Sequence, residues 1–425
     1  MIKKIKQKLK KEEHKRLLSN FISLSILQGA NYILPLITFP YLVRVLGVEK
    51  FGLLAFAGAT IAYFNILTDY GFNLTATREI SIYRDNKEKL NEIFSSVMII
   101  KFVLMAISFL LLLLLVFSFD KFKEHSEVFL LTFGMVIGQV LFPQWFFQGI
   151  ERMKYITFLN ILAKVIFTIA IFIFVHKSSD YWKVPLINSL GFIVAGILAL
   201  YIIFKDFKIK FSFQSFSILK HYFIDGWHLF LSSFAGSFYR NFNTIVLGFL
   251  TNNLYVGYYS IAEKIIKIIQ SLQSIIGNTL FPYFSKKISH NKLYFFELTQ
   301  KYLKIIIGSY LLIVLFTLIF SPEIIYIIQG KYQSETILDL RIMSIVILVG
   351  GLNYYFGVLG LITMGYKKEF SRAIIITGIS NIILSLILVY LFKDIGASLT
   401  LVLSESILLI ILLNYTKKIK RKLSL

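Results

Sequence analysis

The sequence predicts an all-α integral membrane protein of about twelve transmembrane helices, in two six-helix lobes around a central cavity. Three observations lead there. Apolar residues make up 57% of the 425-residue chain and Asp, Glu, Lys and Arg only 16%, against roughly 45–50% and about 25% in soluble domains. Mean hydropathy is +0.73 over the whole length, too apolar to be hidden in one or two compact cores. The apolar residues also fall into runs near the ~20 residues that cross a hydrocarbon layer. A dozen such runs use more than half of the chain and leave no room for an extramembrane catalytic domain.

Taken in order, runs bounded by charge and turn residues place spans near 18–42, 51–73, 93–118, 127–149, 155–175 and 184–204. The second set lies near 221–250, 256–281, 298–320, 337–363, 371–392 and 397–416. Residues 1–17 form a basic leader into the first span. The apolar run from Leu17 to Val43 is longer than the about 7–15 apolar residues of a cleaved signal peptide, so cleavage is not expected. Pro35, Pro40 and Pro143 lie inside spans, where a missing N–H kinks a helix. Trp145, Trp182 and Trp227 sit near span ends and read as interfacial anchors.

Alternate connections are rich in Lys and Arg, which the positive-inside rule assigns to the cytoplasm. One set holds residues 1–17, Arg78, Arg84, Lys87 and Lys89, Arg152 and Lys154, the stretch 205–220, Lys286, Lys287 and Lys292, Lys367, Lys368 and Arg372, and the tail 417–425. The other set, with Arg44, Lys50, Lys121, Lys123, Lys177, Lys183, Lys331 and Lys393, is poorer. Both termini are therefore expected in the cytoplasm. Residues 205–220 are basic and amphipathic, and read as a linker between an N-lobe at 18–204 and a C-lobe at 221–416. A faint repeat supports two halves: Val45-Leu46-Gly47 ends the first span and Val246-Leu247-Gly248 the seventh. Parallel repeats of this kind build transporters with a central cavity.

Several motifs carry a family resemblance. They are Thr68-Asp69-Tyr70-Gly71-Phe72-Asn73 followed by Thr77-Arg78-Glu79-Ile80-Ser81, then Pro143-Gln144-Trp145-Phe146-Phe147-Gln148-Gly149-Ile150-Glu151, and Gly257-Tyr258-Tyr259-Ser260-Ile261-Ala262-Glu263-Lys264. In these the chain resembles the Wzx-type O-antigen and polysaccharide-repeat flippases of the multidrug/oligosaccharidyl-lipid/polysaccharide exporter superfamily. The resemblance covers almost the whole chain. It implies a protein of the bacterial inner membrane that moves an undecaprenyl-pyrophosphate-linked oligosaccharide from the cytoplasmic to the periplasmic leaflet by alternating access. It also implies a polysaccharide polymerase as a functional partner.

Charges within spans ask for a reason, because an ionised side chain at the bilayer centre costs about 2.5–3.5 kcal/mol on insertion scales. Arg240 in span seven and Lys267 in span eight both lie roughly 15 Å deep. Glu263 and Lys267 are four residues apart on one helical face, so an internal salt bridge is one reading and a substrate site the other. Lys264 and Arg240 have no carboxylate at a favourable spacing on their own helices and are the stronger candidates for holding pyrophosphate. Lys101 and Lys164 lie roughly 12 Å inside the cytoplasmic end of spans three and five, where they either snorkel or line the cavity. Asp69 and Arg78 bracket the cytoplasmic end of span two as a structural pair or as a gate. Asp69 and Glu263 are the carboxylates available to a coupling proton or sodium ion.

Other classes fit less well. The absence of Cys removes disulfides, thiol nucleophiles and thiolate metal sites, and six scattered histidines suggest no metal or other cofactor. The net charge of +22 flanks apolar runs, where lipid headgroups account for it better than nucleic acid does. A drug exporter of the same superfamily would favour acidic groups at midspan. A glycosyltransferase or polymerase would need a sizeable outer loop. No GxxxxGK[ST] sequence is present, so the work is expected to come from gradients rather than ATP.

Overall fold

The structure, a computed structural model, describes residues 2–423; the side chains at 2–18, 21, 24, 32, 232, 233, 235–240 and 278 lie outside the description. The chain is an all-helical membrane protein. Its large apolar side chains face outward as well as inward, with Phe117 73% exposed, because hydrocarbon tails solvate them as well as a protein core does. Among the described residues, eight stretches are long and apolar enough to cross a membrane. Two of these, Ser25–Ile82 and Lys367–Leu423, are 58 and 57 residues long, enough for two spans each, so the helices are compatible with the expected span count.

α1 (Ile2–Asp69) carries the first two expected spans as one helix broken at Gly47, where φ is 79° and ψ 169°. Glycine adopts that backbone without steric cost. Tyr70 and Gly71 then take left-handed conformations, φ 49° and 80°, and set off α2 (Phe72–Ile82) as a separate helix. α3 (Lys87–Ser118) is capped by Asn86, whose side-chain oxygen accepts the Lys89 N–H at 3.1 Å. After the single turn of α4 (Asp120–Lys123), the expected fourth span divides into α5 (Ser126–Leu141) and α6 (Gln144–Gly149). Pro143 has no N–H to continue the helical ladder.

α7 (Met153–Phe174) and α8 (Lys183–Lys205) complete the first set of spans. The expected linker is non-helical through Ser215. Its backbone is tied to α3: the Lys210 N–H donates to Asn91 Oδ1 at 2.8 Å and the Ser212 N–H to Ser95 Oγ at 3.0 Å. α9 (Phe216–Leu250), α10 (Asn253–His290), α11 (Tyr294–Ile319) and the short α12 (Ser321–Gln329) follow. α13 (Ser334–Asn353) runs into a π-helix, Tyr354–Ile362. α14 (Lys367–Leu423) holds the last two spans and breaks at Lys393, φ 53°.

Packing divides the chain into two compact units. One comprises Met1–Phe39 and Thr60–Phe234, the other Pro40–Ala59 and Ala235–Leu425. Glycines at close helix approaches account for both exchanges of segment. In the second unit, a Cβ on Gly52 would overlap the Asn253 carbonyl oxygen and one on Gly257 the Val48 carbonyl oxygen, which binds residues 40–59 to α10. In the first, the start of α9 is held by Tyr70, whose ring stacks on Phe223 at 4.5 Å and on Phe230 at 5.0 Å. Gly226 leaves the room, since a Cβ there would come within 2.8 Å of that ring.

Trp145 departs from its expected place. It is fully buried rather than interfacial, packed against Phe94 at 5.9 Å and Phe146 at 6.3 Å in the aromatic core of the first unit. The break at Pro143 turns α6, and its ring with it, into that core.

Candidate functional site

In the first unit the two span lysines are tied to α1. Lys101 of α3 is 2% exposed, with Nζ 3.8 Å from Asp69 Oδ1. Asn73 Nδ2 donates to the same oxygen at 2.8 Å. A buried ammonium is tolerable only when paired in this way, and full burial takes Lys101 out of the snorkelling reading. Lys164 of α7 donates to Asn31 Oδ1 at 2.5 Å. It lines a cavity of about 240 Å³ with Leu34, Thr38, Met135 and Asn188.

The expected Asp69–Arg78 pair does not form. Arg78 instead meets its neighbour Glu79 at 3.0 Å and Asp225 of α9 at 3.5 Å, because the left-handed turn at Tyr70 and Gly71 separates α2 from the end of α1. Among these groups Arg78 lies outside the spans, and the Glu79 hydrogen bond, followed by the charge of Asp225, holds its guanidinium above its ordinary pKa.

In the second unit Glu263 and Lys267 do pair, at 2.8 Å, and Tyr259 Oη donates to Glu263 Oε1 at 3.3 Å. Lys264, next in sequence, faces the Phe51 ring, with Nζ 5.5 Å from its centroid. The Arg240 side chain lies outside the described residues. Glu263, Lys264 and Lys267 thus share one unit, and Asp69, Arg78, Lys101 and Lys164 share the other.

The motif residues serve largely as packing nodes. Thr77 Oγ1 lies 3.2 Å from the Trp145 carbonyl and 3.3 Å from Gln148 Oε1, and Gly149 leaves the room that Ile80 needs against it. Arg84 reaches Glu151 at 3.5 Å. In the third motif, the Tyr258 hydroxyl accepts from Gln333 at 3.2 Å.

A polar seam that joins α13 to α14, and the two spans of α14 to each other, escaped the sequence reading. Ser398 donates to Asp339 at 2.7 Å, Asn353 to Glu405 at 2.6 Å, and Asn381 to Ser404 at 3.0 Å. Asp339 and Asn381 are fully buried, and Asp339 Oδ2 and Asn381 Oδ1 have no hydrogen-bond partner among the described residues. Their signal was available: Asp339 and Asn381 both fall within expected spans, where a polar group marks an internal contact or a functional group.

The arrangement is that of a multi-pass membrane transporter. A multidrug resistance MATE family transporter of the MOP superfamily, in an inward-facing conformation, shares the fold with a TM-score of 0.68, at 15% identity over 95% of this chain and 99% of that one. The lipid II flippase MurJ also scores 0.68, at 16% identity over 95% of this chain and 87% of that one. Residues 17–288 match the family model described as polysaccharide biosynthesis protein, and the chain belongs to that family. Two relatives extend the match: "Putative O-antigen transporter" of Escherichia coli K12 is 33% identical, covering 94% of this chain and 97% of its own. A protein of the same name from Shigella dysenteriae is 28% identical, covering 94% and 99%.

Proposed function

We propose that the protein is a flippase that carries an undecaprenyl-pyrophosphate-linked oligosaccharide, an O-antigen or capsule repeat unit, across the bacterial inner membrane from the cytoplasmic to the periplasmic leaflet. The observation that carries this reading is the near end-to-end match to a protein named for O-antigen transport. The chemistry of the spans supports it. Lys164 at its cavity bonds a neutral amide rather than a carboxylate, and Lys264 faces a ring; such cations suit an anionic pyrophosphate. Arg240, Lys264 and Lys267 are assigned to the pyrophosphate in one half, and Lys101 and Lys164 to the cavity wall in the other.

Transport proceeds by alternating access with both termini cytoplasmic, and no catalytic step is involved. Protonation of Asp69, or a sodium ion at Glu263, would loosen the Lys101 or Lys267 pair and return the empty carrier. Glycan reaching the outer leaflet passes to a polymerase.

The test is complementation. In a strain lacking its own flippase, the chain restores surface glycan, and Arg240→Ala with Lys264→Ala abolishes display at unchanged protein level. Normal display in that double variant removes these residues from the substrate site. The shared fold with a multidrug transporter favours a second reading, ion-coupled export of small molecules. Drug resistance conferred without glycan display would establish that reading in place of the first.

A further inference from the structure

The second unit contains a cavity of about 670 Å³ between α10, α11 and the π-helical end of α13, well within the size of ligand sites. No motif or span charge considered so far lies in it. Six tyrosines wall it: Tyr283, Tyr294, Tyr302, Tyr310, Tyr354 and Tyr355. Two of the rings are seated on glycines. A Cβ on Gly277 would overlap the Tyr354 ring, and one on Gly351 the Tyr310 ring, so both walls are shaped by sequence rather than left by loose packing. The π-helix adds to this, since such turns widen a helix and concentrate at functional sites.

The cavity has two chemically different ends. Where α10 ends and α11 begins, the Tyr283 and Tyr294 hydroxyls meet at 3.1 Å. Lys287 lies 5.8 Å from the Tyr294 ring and Lys301 5.2 Å from the Tyr302 ring. Lys301 has no carboxylate within ion-pair distance among the described residues, although Glu297 lines the same cavity. Further along, the lining is apolar, and Ile276 and Ile305 are 63% and 66% exposed. Apolar residues that open within a span face hydrocarbon, so the occupant enters from the lipid.

An amphiphile fits: an anionic head at the lysines and a chain along the groove. From Lys301 to Tyr310 the groove follows α11 for about 14 Å, close to the ~15 Å of hydrocarbon that one leaflet provides. We propose that this tyrosine-walled groove seats the polyprenyl chain of a polyprenyl phosphate, with the phosphate at Lys287 and Lys301. The choice of polyprenyl rests on the flippase reading above; the groove and its two ends do not.

The chain contains no Cys, so Ser309→Cys places a single thiol in the groove lining. Purified Ser309→Cys protein in nanodiscs is treated with a maleimide in the presence of undecaprenyl monophosphate or of phosphatidylglycerol. At ten times its Kd, undecaprenyl monophosphate slows labelling about tenfold, phosphatidylglycerol does not, and adding Lys301→Glu removes the protection. Equal protection by phosphatidylglycerol makes this a general lipid site and overturns the proposal, as does no protection by either. Protection together with failure of the natural chain to display glycan would retain the groove and reject the flippase. Glycan display without protection would do the reverse.

Discussion

The two compact units handle charge inside the membrane in opposite ways. In the first, the span cations bond across helices to α1: Lys101 to Asp69 and Lys164 to Asn31. In the second, Lys267 pairs with Glu263 one turn away on its own helix. The long-range polar ties there, from α13 to α14 and between the two spans of α14, use carboxylates, amides and hydroxyls instead. An interhelical ion pair fixes the position of two helices and is costly to break, while an i,i+4 pair fixes nothing beyond its own turn. The first unit therefore uses its span cations to join helices, whereas the Glu263–Lys267 pair of the second braces a single turn.

Substitutions in the two units test that contrast directly. Asp69→Ala leaves the Lys101 ammonium buried and unpaired, so it should cost about 3–5 kcal/mol, seen as a large fall in thermal midpoint in detergent. Asp69→Leu with Lys101→Met should recover most of the loss, because the charge leaves with its partner. No recovery would mean that Asp69 acts through something other than the pair.

Gly257→Ala probes the second unit's packing, where the added methyl meets the backbone of Val48. Overpacking against an unyielding carbonyl costs about 1–3 kcal/mol, and an unchanged midpoint would show that residues 40–59 shift freely. Lys267→Ala should cost less than about 1 kcal/mol, since that side chain is half exposed. A loss as large as that of Asp69→Ala would erase the contrast between the units.

The smallest effect concerns pH. Asp180, in the connection between α7 and α8, is pulled down from the ordinary 3.8 to about 2, first by the Lys183 ammonium and then by the His176 N–H. A depressed carboxylate stabilises the fold above its ordinary pKa and loses that contribution as pH falls through the lowered value. The difference in thermal midpoint between the natural chain and Asp180→Asn should be complete at pH 5 and shrink between about 4 and 2. A constant difference over that range would mean that the Lys183 ion pair contributes nothing.

Hydropathy made the spans legible because a bilayer demands long apolar runs whatever they pack against. It did not show which helices touch. The partners of Lys101 and Arg78 come from other helices, and α9 supplies Asp225 from far along the sequence. The Glu263–Lys267 pair could be anticipated because helical spacing alone defines it. Trp145 was misplaced because proximity to a span end looks the same for an interfacial ring as for one turned inward by Pro143. Asp339 and Asn381 were overlooked because a single polar residue barely changes the hydropathy of its run.

The composition of the units has a consequence for how the protein is made. Residues 40–59 leave the ribosome about two hundred residues before Asn253 and Gly257, against which they pack. At about 5–20 residues per second, that hairpin waits in the bilayer for ten seconds or more before its own unit can close. Conversely, the first unit stays open until α9 has been translated through Phe234. Severing the chain at 205–220 should therefore yield two fragments that are each unstable alone and recover only when inserted together, since neither contains a complete unit.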